Sequence, residues 1–164
     1  MIRTNTAMKA LLLKYSLDPS RPTEALDPAL TNIVSHGMRE WEGCWLLTAL
    51  FDEKSSTSRA HFPDCTGYET FINLVHLDGL IEVEPTGEVG QRVAQGLAYV
   101  HALYGLALPL GAFRVIFSVS EDPLLNVSVR IHRRRPDEVW LLHDLEGYQD
   151  EALLVMDTPV PERV

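Results

Sequence analysis

Residues 113–134 read FRVIFSVSEDPLLNVSVRIHRR, and this stretch decides the fold. Phe113, Val115, Phe117 and Val119 recur at every second position, and Leu125, Val127, Val129 and Ile131 do the same after the Glu121, Asp122, Pro123 break. A period of two with a turn at its centre predicts an antiparallel hairpin with one buried face. Apolar residues elsewhere in the chain must cover that face.

The strongest candidate for the cover is Glu88–Ala107. Its stripe of Val89, Val93, Leu97, Val100, Tyr104 and Leu108 holds a helical period through the whole segment, and Pro109 and Gly111 end it. A second helix is predicted from Asp27, an N-cap residue followed by Pro28, with Leu30, Ile33 and Val34 inward and Gly37 as the stop. A short helix is expected over residues 6–17.

Residues 68–77, YETFINLVHL, are rich in β-formers with apolar residues at both parities, and are expected to form a central strand covered on two sides. Residues 38–51 fit either a helix face or a strand. Gly37 and Gly43 tip the reading to strand, since two glycines inside a helix would cost about 2 kcal/mol relative to alanine. A polar loop is expected over 52–64, an acidic turn over 82–87 including Pro85, strands over 138–142 and 152–156, and a loose tail over 158–164. Together these give an α+β fold: two layers, with a mostly antiparallel sheet covered by the N-terminal helices and the 88–107 helix. The 164 residues read as one domain, with 1–22 peripheral.

Composition is that of an ordinary globular chain, with 46% hydrophobic and 23% charged residues. The N-terminal apolar segment is too short for a signal peptide, and no apolar run of membrane-spanning length is evident. Cys44 and Cys65 form neither a CxxC motif nor a disulfide framework; Cys44, within WEGCWLL, reads as a buried, inert thiol. A soluble, cytoplasmic protein is the expectation. With no membrane-spanning run, no membrane partner is expected; the net charge of −9 argues against nucleic-acid binding and fits solubility or a basic protein partner.

No nucleophile elbow, phosphate loop or metal-spaced histidine pair is present in the sequence, so no cofactor and no metal are expected. The run RIHRRR at 130–135 is the one break in the acidic balance. If Val127, Val129 and Ile131 point inward, then Arg130, His132 and Arg134 project from the opposite face and could hold a carboxylate or phosphate. The competing reading is a solvated strand face. His132 or His143 with Asp144 would make an acid–base set.

Two functions follow from different features. The acidic stretch with Asp144, Glu146, Asp150 and Glu151 suggests a protein-binding module, inhibitor-like or immunity-like, that docks on a basic partner. Arg130, His132 and Arg134 suggest instead a small-molecule or anion-binding protein, or a small enzyme, with its pocket between sheet and helices. The balance leans away from catalysis. A homodimer through the 68–77 segment is a third possibility.

Overall fold

The computed structural model describes residues 1–84 and 86–160. Its framework is an antiparallel five-stranded sheet in the order β1-β7-β5-β6-β4. The strands are β1 (Ile2–Thr4), β4 (Val75–His76), β5 (Phe113–Ser120), β6 (Asn126–Arg133) and β7 (Ala152–Asp157). The decisive hairpin is β5–β6, paired from Phe113 opposite Arg133 to Ser120 opposite Asn126. Phe113, Val115, Phe117, Val127, Val129 and Ile131 all lie in the main core, on the face that the period-two pattern assigns to it.

That inner face is covered by α6 (Glu88–Ala107), with α1 (Thr6–Lys14) and α2 (Pro28–Ser35) beside it. From α6 the core takes Val93, Leu97, Val100, Leu103 and Ala107, so its C-terminal half turns Tyr104 and Leu108 partly outward from the expected stripe. A Cβ on Gly96 would lie 2.5 Å from Cε2 of Phe117, which is why helix and sheet approach so closely there. By length and composition alone Glu88–Leu110 could cross a membrane, contrary to the expectation that no such run exists, yet here it is the core helix of a sheet. Asp27 caps α2, accepting from the Ala29 N–H at 2.8 Å.

Several segments differ from the sequence reading. Residues 68–77 are not a central strand. They contain most of α4 (Cys65–Ile72), the two-residue edge strand β4 and the start of α5 (Leu77–Leu80). Asp64 caps α4 by accepting from the Gly67 N–H at 2.7 Å. The segment reads as apolar at both parities because the helix is buried on several sides, with Thr66, Gly67, Tyr68, Glu69, Thr70 and Ile72 all buried.

Residues 38–51 hold a hairpin of β2 (Met38–Trp41) and β3 (Cys44–Leu47), then α3 (Thr48–Glu53). Its two-residue turn, Glu42 and Gly43, has φ of 49° and 78°; two consecutive positive values match the twist of a tight hairpin. Residues 1–22 are not peripheral at their start, because β1 completes the sheet and the buried Asn5 fastens it. Asn5 Oδ1 accepts from the Met8 and Leu153 N–H groups, and its Nδ2 donates to the Glu151 carbonyl at 2.7 Å. The strand expected at 138–142 is a loop with a single bridge between Arg135 and Glu138. The expected acidic turn includes Pro85, and the expected tail runs past residue 160; those positions lie outside the described residues.

Cys44 and Cys65 are joined in a disulfide, which corrects the reading of two unpaired thiols. The two are 21 positions apart in sequence, but the packing of α4 against β3 brings their Cα atoms to 5.3 Å.

Candidate anion-binding site

The outer face of the sheet is also covered, by the loop that follows β6. Leu141 and Leu145 from this loop pack on Ile116, Leu153 and Val155. Nearer the end of β6 the loop stands away from the sheet and borders a half-open cavity of about 270 Å³.

Strand register sets the cavity floor. Arg114 of β5 is directly opposite His132 of β6 on one side and Asp157 of β7 on the other, so the three share one row across the outer face. Arg3, on the edge strand β1, pairs with Val155 and faces the same way. Arg134 and Arg135 follow at the end of β6, and the loop adds His143, Trp140 and Leu141 as the far wall. Four of the eleven arginines of an acidic chain thus meet in one place.

Two of the four have carboxylate partners. Arg114 grips Asp157 through two hydrogen bonds of 2.7 and 2.8 Å. Arg135 forks onto the buried Glu69, whose oxygens also accept from the Trp45 and Arg133 N–H groups; Glu69 thereby ties α4 to β3 and to the end of β6. Arg3 and Arg134 have no carboxylate within 4.0 Å among the described residues. Arg3 donates to the His143 carbonyl at 3.0 Å and Arg134 reaches the Thr158 carbonyl at 3.4 Å, which leaves most of their donors unused.

The positive field is visible in Asp157. Burial alone would raise its pKa, but the hydrogen bond and charge of Arg114, then the charges of Arg134 and Arg3, hold it below the usual carboxylate range.

His132 is the centre of the site. It is 3% exposed, and its Nδ1 lies 2.9 Å from the carbonyl oxygen of Arg133. Its Nε2 is buried, and among the described residues no protein group lies within hydrogen-bond reach of it. Burial, then the charges of Arg114 and Arg135, pushes its pKa down to about 4 against the pull of the Arg133 carbonyl and Asp157. At neutral pH the ring is therefore an uncharged hydrogen-bonding group and a weak base.

Of the residues singled out in the sequence, His132, Arg134 and His143 converge here. Arg130 lies on the same face but in an adjacent aromatic cavity with Phe62 and Phe71, its guanidinium 5.9 Å from the Trp140 ring centre. Asp144 does not line the site; it caps the following turn by accepting from the Glu146 N–H at 3.0 Å. The carboxylate in the row is Asp157, which sequence reading missed, as it missed Arg3 and Arg114. Arg114 could have been found as the charged residue on the outward parity of β5. Arg3 gave no signal, because its strand pairs with residues some 150 positions away.

The cavity lies on the opposite side of the sheet from the helix–sheet cleft where a pocket was expected. A larger cavity of about 410 Å³ beside α2 and α3 contains Lys54, but its ammonium already donates to the carbonyls of Phe71, Ile72 and Leu74. Cys44, Cys65 and Glu69 group within 4.8 Å as metal ligands would. Their sulfurs are bonded to each other and the carboxylate is held by Arg135, so none of them is available to an ion.

The model of one protein family matches residues 3–163, which span the site from Arg3 to Asp157. The chain belongs to the Uncharacterized protein PM0498 family. No curated protein and no solved structure matches it.

Proposed function

We propose that this protein binds a small oxyanion, a carboxylate or a phosphate, in the cavity on the outer face of its sheet. The observation that carries the reading is the convergence of Arg3 and Arg134, neither with a carboxylate partner among the described residues, on a buried His132 whose Nε2 has no protein partner. Buried polar groups are nearly always satisfied, so a buried, unpartnered nitrogen on a residue that lines a cationic cavity supports a ligand site there. A histidine held neutral to about pH 4 suits hydrogen bonding better than proton transfer at neutral pH, which favours binding over catalysis.

The basic-partner reading has less support. Of its acidic residues, Asp144 caps a turn, Glu146 accepts from Thr6 and Glu151 accepts from Ser118 at 2.9 Å, so three of the four serve internal contacts. The disulfide favours an oxidising compartment over the cytoplasmic location expected from unpaired cysteines.

Thermal unfolding in inorganic phosphate and in small carboxylates, against chloride at matched ionic strength, tests the proposal. A ligand at about 100 times its dissociation constant adds about 2.7 kcal/mol, and Arg134→Gln should lose most of that gain. If no oxyanion stabilises the protein more than chloride does, the reading fails.

A further inference from the structure

Beside the basic cavity, the aromatic one around Arg130 has a different chemistry. Arg130 sits on the outward parity of β6, opposite Ile116 of β5, and is half-buried. Among the described residues its guanidinium donates no hydrogen bond and has no carboxylate within 4.0 Å. None of its nitrogens is sealed in the interior, and the side chain lines a cavity of about 330 Å³. The cation is therefore within reach of a ligand.

Phe62, Phe71 and Trp140 line the same cavity, from the segment before α4, from α4 itself and from the loop after β6. The Phe62 and Phe71 rings lie 5.4 Å apart between centres, and Phe62 also packs on the buried Tyr68. The Cys44–Cys65 bridge fastens the start of α4 to β3, so this wall is in place before any ligand arrives. Phe71 and Trp140 are nonetheless 46% and 45% exposed, which leaves aromatic surface of the lining open to water.

We propose that this cavity is a second binding site, independent of the oxyanion site, for a small carboxylate with an apolar, ring-sized body: the carboxylate takes the Arg130 guanidinium and the body packs on Phe62, Phe71 and Trp140. Charge selects the head group. Arg130 is the one cationic residue of the lining, and a single planar guanidinium matches one carboxylate in a forked pair. A doubly charged phosphate would find no second cation there and would meet Asp64 in the same lining. Lys54, near the Phe71 ring, has its ammonium committed to three carbonyls, and Thr70 turns its hydroxyl to the Thr66 and Gly67 carbonyls. Burial lowers the pKa of Arg130 against the opposing charge of Glu151, so a carboxylate in contact would offset what burial takes from the cation. The volume lies at the low end of the roughly 300–1,000 Å³ of ligand pockets, which suits a body of one ring.

Calorimetric titration of the full chain at neutral pH compares phenylacetate with acetate, which lacks the ring, and with benzyl alcohol, which lacks the charge. Phenylacetate should bind with a Kd at least about tenfold below that of either. Arg130→Gln should bring phenylacetate to the level of benzyl alcohol, and Phe71→Ala, at a half-exposed position, should weaken phenylacetate without changing acetate. Arg134→Gln, which impairs the oxyanion site, should leave phenylacetate unaffected, so the two sites fail separately.

Phenylacetate no tighter than acetate or benzyl alcohol would overturn the inference and leave the oxyanion reading standing. So would tighter binding of benzylammonium than of phenylacetate, because the rings and Asp64 would then be holding a cation. Loss of phenylacetate with Arg134→Gln but not with Arg130→Gln would place the acid in the basic cavity and equally overturn the inference. The comparison of ligands on the unaltered protein does not depend on any variant folding.

Discussion

His132 connects the site to stability. In the unfolded chain its pKa returns to about 6.5, whereas in the folded protein it is pushed down to about 4. Between these values the unfolded state takes up a proton that the folded state refuses. Stability should therefore be full above about pH 6.5, decline as the pH falls toward 4, and lose about 3 kcal/mol from this residue in all. Denaturant titrations across that range should show the decline, and His132→Phe should remove most of it; an unchanged pH dependence in the variant would contradict a buried neutral ring. Sequence reading found this residue through its alternation with Val129 and Ile131, and the same alternation suggested that it faces water. It does not, because the loop after β6 covers the outer face, and nothing local in residues 130–135 announces a cover that begins with Leu141.

Local signals served well for elements that make their own case. The β5–β6 hairpin, α6 and the Asp27, Pro28 start of α2 follow from period, capping and proline placement, each within one segment. The 68–77 segment departs from its local signal: Tyr68, Thr70, Phe71 and Ile72 favour strands as isolated residues, while the Asp64 cap that starts the helix lies just upstream. Burial of Glu69 beneath Arg135 is a tertiary arrangement, and no propensity encodes it. The bridge between Cys44 and Cys65 belongs to the same group: it needs α4 to be a helix packed on β3 before the two sulfurs can meet. Closing a loop of this span should stabilise the fold by about 3 kcal/mol. Thermal or chemical unfolding with and without reductant should show a loss of that order, and a thiol assay of the denatured, unreduced protein should find no free cysteine. Two free thiols, or unfolding indifferent to reductant, would refute the bridge.

Seen whole, the molecule uses the two faces of one sheet differently. The inner face is a continuous apolar contact with α6 and α1, extended by α2 packed on α6, and supplies the core. The outer face is part apolar, under Leu141 and Leu145, and part a basic cavity floored by Arg114, His132 and Asp157. A net charge of −9 conceals this, because Arg3, Arg114 and the Arg134, Arg135 pair are far apart in sequence and gather only when β1, β5 and β6 come together. Bulk charge therefore pointed to a basic partner, while the local field favours an anion. The most direct test is nitrogen NMR of the histidine-labelled protein during titration with inorganic phosphate at neutral pH. The expected result is a saturable shift of the His132 Nε2 resonance, with the exposed His36, His61 and His76 unmoved. No response at His132, or equal small shifts at all the histidines, would contradict a phosphate site on the outer face of the sheet.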